Sequence, residues 1–107
     1  MKTTKGEFRI QTAEGWRSVE GRYEIIYPFF IHRAEEEKTW RVSHLATGYN
    51  ISKVKNLKSG RKLAKALTPF PIFLMPCLET WDRARSRMAK KEPEEFQKLM
   101  NIVNGDY

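Results

Sequence analysis

One cysteine, two histidines and no acidic residue anywhere between Lys38 and Leu78 are the scarcities that bound this 107-residue chain. The lone thiol, Cys77, has no partner for an internal disulfide, and a single free cysteine fits a reducing cytosol. Long apolar runs are missing too. The longest candidate, PFPIFLMPC from Pro69 to Cys77, is far short of the roughly 20 residues a membrane span needs and is broken by prolines, so no membrane partner is expected. The opening MKTTKGEFRI carries lysines but no apolar h-region, which argues against a secretory signal and for a cytoplasmic location.

Catalytic groups are equally sparse. No Cys or acidic residue stands at ligand spacing from His32 or His44, so no metal site is expected. There is no Gly-rich nucleotide loop, no paired carboxylates in an apolar setting and no Ser–His–Asp constellation. The expectation is therefore a protein that is not an enzyme, with no catalytic residues and no cofactor. A nuclease using His32 or His44 as general base is the enzymatic alternative.

What is abundant is positive charge. The formal net charge is +7 and the pI is near 9.7, a balance that points to acidic partners such as nucleic acid or an acidic protein. Its distribution is uneven. The acid-free stretch holds Lys38, Arg41, Lys53, Lys55, Lys58, Arg61, Lys62 and Lys65, while acids gather in Glu35–Glu37 and Glu92–Glu95. Solvated surfaces normally mix signs, so one biased face is expected.

The first part of the chain reads as strands. EFRIQT (Glu7–Thr12) alternates, AEG turns, and WRSV (Trp16–Val19) follows. RYEIIYPFFIHR comes next, with Tyr23, Ile25, Tyr27, Phe29 and Ile31 on one face if it is a single strand. Pro28 makes that strand an edge, bulged, or split in two. TWRVSHLATGYNISKV (Thr39–Val54) reads as a hairpin. With Thr47-Gly48 as a two-residue turn, His44 opposes Ile51 and Val42 opposes Lys53. Setting Ile31 against Val42 places Phe29 opposite His44, and the apolar faces coincide. His44 is then a core histidine satisfied by a hydrogen bond.

The rest reads as helix. Ser59 is a candidate N-cap for SGRKLAKAL, ended by Thr68-Pro69. TPFPIFLMPC is an extended crossing, Glu79–Lys91 a second helix, and Pro93 opens a third. That third helix carries Phe96, Leu99, Met100 and Val103 at i, i+3, i+4, i+7 and ends near Gly105. The fold class is thus α+β: an antiparallel β-meander of four to five strands followed by two to three C-terminal helices. One domain over residues 1–107 is expected, with its sheet in 6–54 and its helical part in 57–104.

Three constellations are candidate nucleic-acid contacts. A helix starting at Ser59 would put Arg61 and Lys62 in its first turn with Lys58 just before, and free amides beside cations suit a phosphate. The face of the meander opposite His44 would gather Phe30, His32, Arg41, Ser43, Asn50 and Ser52, a stacking platform for single strands unless other elements cover it. On the second helix Arg83, Arg87, Lys90 and Lys91 share a side, which is either a phosphate stripe or a solvated face.

The block WRVSHLATG (Trp40–Gly48), with the strand and SGRKLAKAL helix after it, resembles small proteins of bacteriophages and other mobile elements that carry a W-x-V-[ST]-H-x-x-T-G hairpin. That resemblance covers about thirty residues; it implies a phage or mobile-element origin and assigns no site residue. In arrangement alone, strands followed by helix are similar to single-stranded-DNA-binding coactivator-like domains. The leading expectation is phosphate binding to DNA or RNA through Lys53, Lys55, Lys58, Arg61, Lys62 and Lys65, with Arg41 and Phe30 adding contacts on the sheet. The alternative is a modulator that docks on an acidic surface of a host protein, with PFPIFLMPC exposed as its interface. A homo-oligomer is compatible with either.

Overall fold

The computed structural model describes residues 3–12, 14–70 and 81–105. Five strands, β1 (Thr4–Thr12), β2 (Gly15–Ile26), β3 (Phe29–Ala34), β4 (Trp40–His44) and β5 (Asn50–Val54), lie in chain order in one antiparallel sheet. Three helices follow: α1 (Leu57–Leu67), α2 (Trp81–Lys91) and α3 (Pro93–Val103). The α+β meander with C-terminal helices is the architecture the periodicities indicate. No helix among the described residues is long and apolar enough to cross a membrane.

Pro28 splits the long apolar run. It lies in the turn between β2 and β3, and because the chain reverses there, side chains on the two sides of the turn change faces. Ile25 pairs with Phe30 and Tyr23 with His32, while Glu24 pairs with Ile31. Tyr23 and Ile25 therefore lie opposite the Phe29–Ile31 face, not on it. The β3–β4 register is the one the sequence indicates: Phe29 opposite His44, Ile31 opposite Val42. His44 is buried, hydrogen-bonds through Nδ1 to Thr47 Oγ1 at 2.9 Å, and meets the Phe29 ring edge-on.

The hairpin turn departs from the Thr47-Gly48 expectation. Gly48 N donates to the His44 carbonyl and His44 N to that of Tyr49, closing a longer loop whose Gly48 has φ 72. A bulge follows, so that Val42 pairs with Ser52 and Ser43 with Asn50. Ser52 thereby moves to the helical side, where its Oγ donates to the Val103 carbonyl.

Helix α1 covers that side. Its Leu63, Ala64 and Leu67 are buried against Phe29, Ile31, Val42 and Val54, and Phe70, Met88 and Leu99 complete the core. Phe96 and Val103 of α3 pack on its margin. Of PFPIFLMPC, residues 71–77 lie outside the described residues, and Phe70 just before them is core. The helix begins earlier than expected. Asn56, not Ser59, is the N-cap, and its side-chain oxygen accepts from Ser59 N at 2.8 Å.

Gly60 sets how closely α1 approaches. A Cβ there would stand 2.8 Å from Ile31 Cγ2 and 3.3 Å from Val54 Cγ2. Ile31 is fully buried and its branched methyl has nowhere to go. Gly60→Ala gains about 1 kcal/mol of helix propensity but meets an overpacking cost of about 1–3 kcal/mol. The expected outcome in urea denaturation is a chain that is less stable than wild type, and Gly60→Val less stable again. A stabilised Gly60→Ala chain would mean that α1 lifts from the sheet without cost.

Candidate nucleic-acid interface

Helix α1 sorts its cations by side. Arg61 points to the sheet, where its Nε and Nη2 donate to both carboxylate oxygens of Glu24 at 2.9 and 2.7 Å. Glu24 is 5% exposed, and the hydrogen bonds from Arg61, opposed by burial, hold its carboxyl below the ordinary value. The expected phosphate ligand Arg61 is thus a structural clamp tying α1 to β2. Neither it nor Lys62 is in the first helical turn, which is Leu57–Gly60. Lys58, Lys62 and Lys65 stand at i, i+4, i+7 on the outward side, and Lys55 precedes them. All four are exposed. None of them makes an ion pair within the described residues.

The other expected contacts disperse. Lys53 is exposed on β5 opposite Arg41, two cations in cross-strand register beside the loop to α1. Arg41 reaches Glu37 Oε2 at 3.6 Å with both side chains partly in water, an ion pair of small net value. Arg83 and Arg87 are exposed one turn apart on α2.

The face opposite the helices is not the open platform that Phe30, His32, Arg41, Ser43 and Asn50 would make on a flat sheet. The sheet curls. Gln11 N at the end of β1 donates to the Gly48 carbonyl of the β4–β5 loop at 2.9 Å, joining opposite margins of the sheet. Phe8 of β1 consequently lies over β3, with ring centroids 6.1 Å from Phe30 and 5.0 Å from His32. Phe30 is 3% exposed and stacked on His32. It has no free face for a base, which corrects its assignment as a stacking residue. Phe8 was missed as its cover. The β1 alternation sets Phe8 and Ile10 on one side of the strand, but nothing in the pattern shows which face that is or how far β1 folds over.

His32 and Ser43 are the polar centre of this concave side. They hydrogen-bond, Nε2 to Oγ, at 2.7 Å and both are buried. Burial, reinforced by the Arg41 charge, pushes the imidazole down to about 4 from 6.5. The register expected from the sequence sets Arg33 opposite Trp40, and its guanidinium carbon lies 5.2 Å from the Trp40 ring centre; among the described residues its buried Nε has no partner. Among the described residues no group of His, Cys, Asp and Glu is arranged to hold a metal ion. No family model, curated protein or solved structure matches this chain.

Two outcomes follow from these pairings. Between pH 6.5 and about 4 the unfolded chain binds a proton at position 32 that the native chain does not, so stability falls as pH falls. The expected loss from His32 alone is about 2 kcal/mol between about pH 7 and about pH 5. Glu24, with its carboxyl lowered, adds to the loss only below 4.5. Unfolding free energies across this range should show a shallower slope in His32→Asn; an unchanged slope would place the titration elsewhere. Second, Glu24→Gln and Arg61→Ala should each lower Tm, whereas Lys62→Ala should leave it unchanged. A Tm insensitive to both clamp substitutions would remove Arg61 from its structural role.

Proposed function

We propose that this chain is a non-enzymatic nucleic-acid-binding protein that holds the phosphate backbone along the outward side of α1. One observation carries the reading: Lys55, Lys58, Lys62 and Lys65 form an exposed stripe free of ion pairs among the described residues, while Arg61 on the same helix is committed to the fold. From Lys58 to Lys65 the helix rises about 10 Å, the axial rise of about three phosphates along one strand of a duplex. Lys53 and Arg41 extend the positive track around the β5 margin. Such contacts fix position and carry no sequence information. The resemblance of WRVSHLATG to phage and mobile-element proteins is compatible with DNA or RNA of that origin.

A second reading, docking on an acidic host protein, is favoured by a different observation. Trp16, Ile25 and Tyr27 are 52%, 54% and 67% exposed, and large side chains left in water are typical anchors of protein interfaces.

Fluorescence anisotropy with labelled oligonucleotides separates the two. Neutralising about four phosphates predicts that affinity falls roughly 100-fold when salt rises fourfold. The triple variant Lys58→Glu, Lys62→Glu, Lys65→Glu should abolish binding to all sequences alike and keep the wild-type Tm. Wild-type affinity in that variant would overturn the α1 reading. No nucleic-acid binding at any salt would favour the protein partner.

A further inference from the structure

The curl that buries Phe30 does not fill the space it encloses. A cavity of about 260 Å³ remains between β1–β2 and β4–β5. One wall is apolar, made by Phe8, Ile10 and Val19. Adjoining it is a polar side with His32, whose ring meets that of Phe8, and with Ser43 and Asn50. The exposed Arg17, Glu36 and Glu37 and the half-exposed Arg41 mark its mouth. With Lys53 in cross-strand register beside Arg41, three cations stand there against two carboxylates, a net positive balance.

From these three parts we infer that the cavity is a binding site for one nucleotide of an unpaired strand, with base inside and phosphate at the mouth. The volume lies just below the range of ligand sites, roughly 300 Å³ and upward, which suits one ring system and not a larger ligand. A planar base has an apolar face for Phe8 and Val19 and a hydrogen-bonding edge for the adjoining polar side. His32 fits that edge in a particular way. Its Nε2 is taken by Ser43, while its Nδ1 has no hydrogen-bond partner among the described residues. If Ser43 donates to Nε2, then Nδ1 carries the proton and donates. If Nε2 donates to Ser43, then Nδ1 accepts. A neutral imidazole can thus meet either polarity on a base edge, which favours base binding without strict sequence preference. A cationic ligand is disfavoured by the guanidiniums. A cavity of this volume has no room for a base together with its pairing partner, so the nucleotide must come from an unpaired segment.

This inference deepens the nucleic-acid reading, resting on it only for the source of the nucleotide, and its failure is separable. The full chain is titrated with each ribonucleoside 5′-monophosphate and with inorganic phosphate, while the His32 ring and the Ser43 and Asn50 amides are followed by NMR. Saturable shifts at all three with nucleotides, in the millimolar range for so small a ligand, and none at His32 with phosphate, are expected. Ser43→Ala should weaken binding about tenfold. Should that variant fail to fold, Arg17→Ala at the exposed mouth should do so by several-fold. The α1 triple variant should bind mononucleotides like wild type even as it loses oligonucleotides. Shifts confined to α1, or none at His32 and Ser43, would overturn the cavity site and leave the α1 reading standing. Equal shifts with inorganic phosphate would also overturn it, reducing the site to a phosphate contact at the mouth.

Discussion

Both faces of this sheet carry large side chains, yet its helices can cover only one of them. The structure depends on how that shortage is met. On the helical side α1 is drawn down to contact at Gly60 and clamped by Arg61 to Glu24. On the other side Phe8, Phe30 and Tyr23 are met by no helix among the described residues, and the sheet covers itself. Right-handed twist makes this natural for a five-stranded meander. The bond from Gln11 to Gly48 marks how far the curl proceeds. A sheet that rolls up around side chains of unequal size rarely closes without a gap, and the gap here is lined by the His32–Ser43 pair. Burying that pair requires the hydrogen bond it makes, since an unpartnered polar group inside an apolar wall costs a few kcal/mol.

The same shortage divides the cations. A guanidinium suits a bidentate carboxylate bond in a half-buried place, and the arginines near the sheet take such roles: Arg61 on Glu24, Arg33 over Trp40, Arg41 beside Glu37. Lysines, more strongly hydrated, stay outward on α1 and the loop before it. Charge alone therefore overstates the candidate interface. Among residues of one sign, side-chain chemistry and the side of the helix decide which belong to the fold and which to a partner.

This explains what was legible in the sequence. Element type followed from period: the alternation of Glu7–Thr12, the stripe from Phe96 to Val103 and the terminators Pro93 and Gly105 all correspond to observed elements. The β3–β4 register was readable because only one alignment brings Phe29 and Ile31 onto the face of Val42 and His44. The β4–β5 register was not. The bulge at Ile51 trades one ladder position for burial of that side chain, and a strict two-residue alternation cannot represent it. The helix start was misplaced because Asn56 and Ser59 are both good caps, and the choice is made by Leu57 packing against the core margin. Lys55, Lys58, Lys62 and Lys65 were grouped by charge and sequence proximity, and all four are exposed. Arg61 was grouped with them because its partner, Glu24, is thirty-seven residues away in sequence and outside any local pattern.

The two proposed sites differ in what they contribute. A lysine stripe in high dielectric attracts any polyanion and weakens as salt screens it, so it brings nucleic acid to the protein without choosing among strands. The cavity has the opposite character. Its contacts are short-ranged, little affected by salt and available only to a base out of its stack. Lys53 and Arg41, paired across β5 and β4, lie between the two in sequence and beside the cavity mouth, so in the proposed reading they would guide a strand from α1 toward it. Held at that distance, a base need bind the cavity only weakly to be retained, because its effective concentration there is already in the millimolar range. In the proposed division of labour the lysines supply affinity, and the gap the curl leaves supplies preference for unpaired strands.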